Sequence, residues 1–182
     1  GIEMTSTSLE YTIVDVVGHP FHAIWTPEDG AIRAAGFATT SDPAAESLMT
    51  RIAALDPDLA SRGLAEAPQS SGVIADALRA YAAGDLDAID ALPVAQPETP
   101  FRGEVWRALR RVPAGAAVTY TELAGLAGRP TAVRAAASGC ANNLVALIVP
   151  CHRIVRTDGG LGGYLFGTDI KEELLRLERA IL

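Results

Sequence analysis

Cysteine and histidine are both scarce in this chain, with two of the first and three of the second in 182 residues. Cys140 and Cys151 stand eleven positions apart, and two thiols do not staple a fold of this length. A reducing compartment, the cytoplasm, fits such usage. There are too few Cys and His for the usual structural zinc sets, so no metal site is expected. His19 and His22 stand alone in the first half and read as turn or surface residues. No run approaches the ~18 apolar residues of a membrane span, and the N-terminus lacks the basic-then-apolar pattern of a signal peptide; no membrane partner is expected. Gly1-Ile2-Glu3 ahead of Met4 reads as an expression remnant outside the fold. What is present is apolar: 49% of residues are hydrophobic. That argues for one large domain or two small ones with a real core, and against disorder.

The net charge of −7 speaks at first against a nucleic-acid partner. It is unevenly distributed. Residues 1–99 hold four Arg against fifteen Asp and Glu, whereas residues 100–182 hold ten Arg and one Lys against seven Asp and Glu. An acidic half joined to a basic half suggests that the second faces a polyanion.

The first half reads as a β-meander with helices. Leu9–Val17 is rich in β-branched residues, Gly18-His19-Pro20 signals a turn, and Phe21–Trp25 and Ala31–Phe37 are further strands around the Pro27–Gly30 turn. Asp42 before Pro43 has the form of an N-cap for a helix running to about Leu55. Residues 56–71 read as a loop. Val73, Ile74, Ala77, Leu78 and Tyr81 recur at helical spacing, with Gly84 as the stop. The acidic residues of this half read as a solvated surface. Leu92–Pro100, with three prolines, is the expected linker, dividing the chain into domains 1–94 and 95–182.

Beyond it, Thr99-Pro100 opens a helix whose apolar stripe is Phe101, Val105, Trp106, Leu109 and Val112. Thr119-Tyr-Thr-Glu122 has capping-box form and begins a short helix closed by Gly128. Pro130 introduces a second, alanine-rich helix from Thr131 to about Ala141. Two short helices around a glycine-containing turn make a helix-turn-helix candidate. Arg134 is the only charged side chain of the second helix: a surface solubiliser, or a probe aimed at a groove. Asp158–Tyr164 carries four glycines and would let backbone amides approach a ligand, though it is neither a Walker loop nor a dinucleotide fingerprint. A last helix is expected from about Asp169 to Leu182, with Ile170, Leu174, Leu177 and Ile181 inward and Glu178 at a position where a carboxylate is ordinarily solvated.

The chemistry concentrates in Ile148-Val149-Pro150-Cys151-His152-Arg153-Ile154-Val155. Pro150 has no N–H and holds Val149 extended, so the expected local form is a buried strand ending at Pro150 that presents Cys151 at a bend. A cysteine becomes a nucleophile as its thiolate, which a base or cation must favour. His152, Arg153 and Arg156 are in position to do so. The alternative is an inert buried thiol.

Taken together, residues 99–178 resemble the O6-alkylguanine-DNA alkyltransferase family (methylated-DNA–protein-cysteine methyltransferases). The resemblance rests on Thr-Pro-Phe with Val-Trp, Val-Thr-Tyr-x-Glu-Leu-Ala, Arg134, Asn143, Ile-Val-Pro-Cys-His-Arg-Ile-Val, Gly-Gly-Tyr164, and Lys171 with Leu174-Leu175 and Glu178. Ala135–Asn143 and Gly163–Gly167 are similar to the C-terminal part of the bacterial adaptive-response protein Ada. The resemblance implies an α/β two-domain fold: a small ribonuclease H-like N-terminal domain, and a mostly helical C-terminal domain holding the helix-turn-helix and the active cysteine.

It further implies that Cys151 accepts the alkyl group of O6-methylguanine, and more weakly of O4-methylthymine. His152 would be a water-mediated base, Glu178 its orienter, and Tyr120 a donor to the guanine ring. Asn143 would link the recognition helix to the active turn. Arg134 would fill the gap left by a flipped base, with Thr131, Ala135 and Ser138 on the same DNA-facing helix. Tyr164 and the backbone near Ile154 and Leu165 would line the base pocket, and Arg153 would hold the turn. Such a protein is consumed in one turnover, needs no cofactor, and acts as a monomer on double-stranded DNA. Leu165 and Phe166 are bulkier than the residues many members have there, which favours methyl over large groups. The alternatives are a non-catalytic alkyltransferase-like lesion binder, from which the acceptor cysteine would be missing, and a helix-turn-helix regulator with an inert thiol.

Overall fold

A computed structural model describes residues 7–38, 44–67 and 72–181. The expected Asp42–Pro43 cap and the Gly1–Glu3 remnant lie outside the described residues. The meander forms as expected: β1 (Leu9–Val16), β2 (His19–Trp25) and β3 (Ile32–Phe37) pair antiparallel in sequence order. The first turn sits one residue earlier than its Gly-His-Pro signal. Val17 and Gly18 both have positive φ (48° and 80°), the backbone a two-residue hairpin needs, and His19-Pro20 already belongs to β2. The following helices are α1 (Ala44–Leu55), α2 (Pro57–Ala60) and α3 (Val73–Ala82).

Residues 56–71 are not the plain loop expected. Asp56 caps α2, accepting from Leu59 N at 3.1 Å. The strand β4 (Leu64–Glu66) then adds parallel to β1, giving the sheet order β3-β2-β1-β4. Three residues are too few for a period-2 pattern to show. His22 is also not a surface residue: it is buried in β2 on the face that carries Ile24.

The alternation along the strands sends Leu9, Ile24 and Ala34 to one face, where Leu48 and Ile52 of α1 cover them. Val14, Val16, Phe21, Ala23 and Phe37 face the other way, onto Leu78 and Tyr81 of α3 and onto apolar residues of the second half. The free edge of β3 is covered by backbone from later in the chain. Ile32 N donates to Pro93 O at 2.8 Å, Ala95 N to Ile32 O at 3.0 Å, and Ala146 N to Ala35 O at 3.0 Å. Residues 92–95, expected as linker, thus lie along a sheet edge that would otherwise be open to pairing.

The second half contains α4 (Pro100–Arg111), α5 (Tyr120–Leu126), α6 (Val133–Ala141) and α7 (Thr168–Leu177). Thr99 caps α4 with Pro100 at its first position, and the Thr119–Glu122 capping box opens α5 as read from sequence. Thr131 precedes α6, which starts two residues later than expected. Helices α4 and α6 approach closely because Gly139 lacks a Cβ; one built there would stand 2.9 Å from Val105 Cγ1. Trp106, a core residue as expected, donates Nε1–H to the Gly139 carbonyl at 2.9 Å.

Two expectations fail near the candidate site. Leu147–Val149 is buried but is not a strand: Ile148 N bonds Ala146 O at 2.8 Å, Val149 N bonds Val145 O at 3.1 Å, and Leu147 has φ 72°. The reason is Asn143, whose side chain takes Val145 N (3.1 Å), Val145 O (3.3 Å) and Val149 O (2.9 Å). With local partners for its polar groups, the segment coils on itself rather than joining a ladder. Helix α7 stops at Leu177, well short of Leu182, which lies outside the described residues. Arg179 takes the left-handed conformation (φ 62°), with Ala180 N on Leu175 O (2.8 Å) and Arg179 N on Arg176 O (3.0 Å). This Schellman closure leaves Ile181 beyond the helix; Glu178, still in right-handed helical conformation and at a position where a carboxylate is ordinarily solvated, lies in the core at 1% exposure. Among the described residues no helix is long and apolar enough to cross a membrane.

Candidate functional site

After the turns, Cys151–Arg153 forms a single 3₁₀ turn, with Arg153 N bonded to Pro150 O at 3.0 Å. Consecutive side chains on so tight a turn point in different directions. Cys151 faces a cavity of about 290 Å³, lined also by Tyr120, Cys140, Asn143, Tyr164, Leu165 and Phe166. That lies near the lower bound of ligand pockets, roughly 300 Å³. His152 and Arg153 point away from it into the core, both buried.

Behind the turn, Glu178 organises a charged network. Its Oε1 accepts Arg153 Nε at 2.9 Å; its Oε2 accepts Arg153 Nη2 at 3.0 Å, His152 Nε2 at 2.8 Å and the Tyr81 hydroxyl at 2.5 Å. Arg153 Nη1 reaches the Val112 carbonyl at 2.6 Å, closing the last turn of α4 onto the site. Burial works to raise the Glu178 carboxyl, but the hydrogen bond from His152 and the hydrogen bonds and charge of Arg153 outweigh it and hold it at about 2. For His152, burial outweighs the attraction of Glu178 and lowers its pKa. The pair is therefore an ionised carboxylate beside a neutral imidazole, with Arg153 supplying the counter-charge. The shared proton belongs to His152 Nε2, which leaves Nδ1 as an acceptor. Nδ1 is buried, with no protein partner among the described residues.

Asn143 connects the cavity to its frame. Its Oδ1 is held by Gln96 Nε2 (3.0 Å) and Val145 N (3.1 Å), so Nδ2 faces Val149 O and, at 3.5 Å, the Cys151 sulfur. Burial pushes the Cys151 thiol up, while the Asn143 N–H, Lys171 and Arg51 pull it back without cancelling the rise. The resting sulfur is thus a thiol, and it requires a base to become a nucleophile. Tyr120, the first residue of α5, is raised by burial and then by the nearby Cys140 and Cys151, so it stays a proton donor. Burial pushes Cys140 up to about 12, which fits its reading as packing.

Of the residues singled out from sequence, Tyr120, Asn143, Cys151, Tyr164 and Leu165 converge on the cavity, and His152, Arg153 and Glu178 form the network behind it. Thr131, Arg134, Ala135 and Ser138 are all exposed around α6. Ile154 does not line the cavity: its N–H bonds Cys151 O at 3.3 Å and its carbonyl accepts Lys171 Nζ at 2.5 Å. Four residues escaped sequence reasoning as members of the site: Tyr81, Arg51, Gln96 and Lys171. Tyr81 showed only as part of an apolar helical stripe. Arg51 donates to the Asn143 carbonyl at 3.2 Å from α1, a contact 92 positions away in sequence. Lys171, buried and lowered in pKa by that burial, also reaches Gly163 O at 3.2 Å and so pins the glycine-rich loop. Its own place in the shared motif, beside Leu174-Leu175 and Glu178, was the only signal.

A tight turn that points a cysteine into a cavity and a histidine into a buried carboxylate defines a thiol-nucleophile site on a helical scaffold. Comparisons with known proteins make the class specific. Residues 100–180 match the family model "6-O-methylguanine DNA methyltransferase, DNA binding domain". A methylated-DNA–protein-cysteine methyltransferase of Shigella flexneri is 44% identical over 111 residues, 61% of this chain and 65% of the relative. The bifunctional transcriptional activator/DNA repair enzyme Ada of Escherichia coli K12 is 52% identical over 87 residues, 48% of this chain and 25% of the relative. The chain thus spans 65% and 25% of the lengths of these two curated relatives. The crystal structure of Mycobacterium tuberculosis OGT in complex with DNA superposes with a TM-score of 0.71 at 26% identity, covering 94% of this chain and 93% of that one. The small mixed sheet and the seven helices among the described residues follow that architecture. Over residues 100–180, this chain is similar to the DNA-binding domain of the O6-methylguanine-DNA methyltransferase family.

Proposed function

We propose that this protein repairs DNA by moving the methyl group of O6-methylguanine irreversibly onto Cys151, once per molecule, in the cytoplasm and as a monomer on double-stranded DNA. The observation that carries this reading is the division of labour on one 3₁₀ turn: the sulfur of Cys151 in the cavity, and His152 held neutral against Glu178 behind it. The His152 Nδ1 lone pair, acting through a water, takes the Cys151 proton. The sulfur attacks the methyl carbon, the C–O bond breaks, and the guanine leaves as an anion that the Tyr120 hydroxyl protonates. The product thioether has no leaving group for reversal, so no second turnover follows, and no cofactor takes part.

In this mechanism the base enters the cavity of about 290 Å³ beside Cys151, which requires it to leave the duplex. On this reading α5 and α6 act as the helix-turn-helix, with Arg134 filling the vacated space and Thr131, Ala135 and Ser138 against the DNA. Residues 95–182 bind and react; residues 1–94, a ribonuclease H-like unit, support them. Asn143 ties α6 to the reactive turn, Arg153 holds that turn to Glu178, and Tyr164 with the backbone at Leu165 shapes the base pocket. The bulk of Leu165 and Phe166 favours methyl over larger groups, with O4-methylthymine a weaker substrate.

Incubation with duplex DNA containing O6-methylguanine, followed by peptide mass spectrometry, tests the reading. The expected result is a gain of one methylene on the Cys151 peptide at a single equivalent, absent in Cys151→Ala, which still binds DNA. An unchanged mass, or transfer beyond one equivalent, rules it out.

A further inference from the structure

Tyr81 lies on α3, far in sequence from the reactive turn and in the half of the chain to which no chemistry has been assigned. It is fully buried, yet its hydroxyl makes the shortest of the contacts to the Glu178 carboxylate, at 2.5 Å to Oε2. That oxygen is the one that receives the His152 Nε2–H. We propose that Tyr81 is a positioning residue for the proposed methyl transfer: its hydroxyl fixes Glu178 Oε2 and draws off part of its charge, so that His152 is oriented by the carboxylate without being protonated by it.

The argument is electrostatic. An ionised carboxylate 2.8 Å from an imidazole favours the imidazolium, and an imidazolium has no lone pair with which to accept the Cys151 proton. Every other donor to the carboxylate reduces that pull, because each stabilises the anion independently of His152. Arg153 supplies two such bonds and Tyr81 the third. Arg153 is itself anchored on the Val112 carbonyl, so the hydroxyl from α3 is the contribution that depends on the two halves of the chain being docked.

The other groups facing the pair are few. Tyr164 stands edge-on to the His152 ring with centroids 6.4 Å apart, and the Lys171 ammonium and Arg153 both act to lower His152. Asp90 faces Arg153 and Glu178 from the segment after α3, and Cys151 adjoins in sequence. Tyr164, Lys171, Asp90 and Cys151 donate no hydrogen bond to Glu178 Oε2; Tyr81, Arg153 and His152 do.

This inference rests on the methyl-transfer reading for its purpose but is measurable apart from it. In ¹⁵N-labelled whole protein, NMR of the three histidines reports the His152 Nε2 proton directly. With Tyr81→Phe, the carboxylate leans harder on His152, and that proton is expected to move downfield. With 3,5-difluorotyrosine placed at position 81, a stronger donor of nearly the same shape, it is expected to move upfield. The acid limb of the methyl-uptake rate should follow, shifting up by about one pH unit in Tyr81→Phe and down in the fluorinated protein. The fluorinated protein keeps both ring and hydroxyl, so it decides the matter even if the phenylalanine variant does not fold. A resonance that stays in place there, or moves the same way in both variants, overturns the role given to Tyr81. Failure of the wild-type protein to take up methyl at any pH would instead remove the methyl-transfer reading and leave the NMR result to stand alone.

Discussion

Glu178 accepts four hydrogen bonds at 1% exposure, and its energetics follow from that count. Its carboxyl is held at about 2 against an ordinary 4.5, and the buried His152 lies below its ordinary 6.5. In both groups the folded pKa is depressed. Each therefore contributes stability that is fully present above the unfolded value and is lost as pH falls through the folded one. Thermal unfolding should show stability declining below about pH 6.5 as His152 resists protonation, and more steeply between about 4.5 and 2 as Glu178 is protonated. Glu178→Gln leaves Arg153 buried without its counter-charge and should cost about 3–5 kcal/mol at neutral pH. The same change should remove the steeper acid loss. A variant with the wild-type pH profile would contradict this account of the network. At this scale the sequence was informative in part. The histidine and glutamate of the resemblance are in contact at 2.8 Å, but Glu178 by itself reads as an ordinarily solvated carboxylate, because nothing in the sequence of α7 announces the buried Arg153 and Tyr81 that receive it.

Among the elements, the close approach of α4 and α6 carries the weight of positioning. It holds Asn143, immediately after α6, beside the 3₁₀ turn. Gly139→Ala places a methyl group 2.9 Å from Val105 Cγ1 and 3.2 Å from its Cβ. Alanine is the better helix former by about 1 kcal/mol, but overpacking a filled core costs about 1–3 kcal/mol, and the side chain it meets is β-branched and stiff. The urea midpoint should therefore fall, and Val105→Ala in the same chain should recover part of the loss. A midpoint that rises with Gly139→Ala would mean that the helices separate freely. Elements with caps or long stripes were legible in the sequence: Thr99-Pro100, the Thr119–Glu122 box, the meander strands. Those shaped by distant partners were not. β4 exists because β1 offers it an edge. Leu147–Val149 looks like a buried strand because it is apolar throughout, whereas its backbone is satisfied by the Asn143 side chain.

For the molecule as a whole, the proline-rich segment suggested two units, and the packing joins them. One apolar cluster runs from Phe21, Phe37, Leu78 and Tyr81 through Val105, Leu109 and Ile148 to Leu174. Phe37 packs against Phe166 with ring centroids 5.7 Å apart, and Gly36 lies so close that a Cβ there would stand 2.6 Å from Phe166 Cζ. Polar contacts cross in the same direction: Arg51 to Asn143, Tyr81 to Glu178. Units that share both a core and a buried charge network cannot lose one half cheaply, since separation would expose the first and leave the second unsatisfied. The two halves should therefore unfold together. Calorimetry of the whole chain is expected to give one transition, with the calorimetric enthalpy equal to the van't Hoff enthalpy. Near-ultraviolet dichroism, with one tryptophan at Trp25 in β2 and the other at Trp106 in α4, should change at that same temperature. Two resolved transitions, or a signal from Trp25 that survives loss of the Cys151 cavity, would show that the acidic half stands independently of the site it contacts.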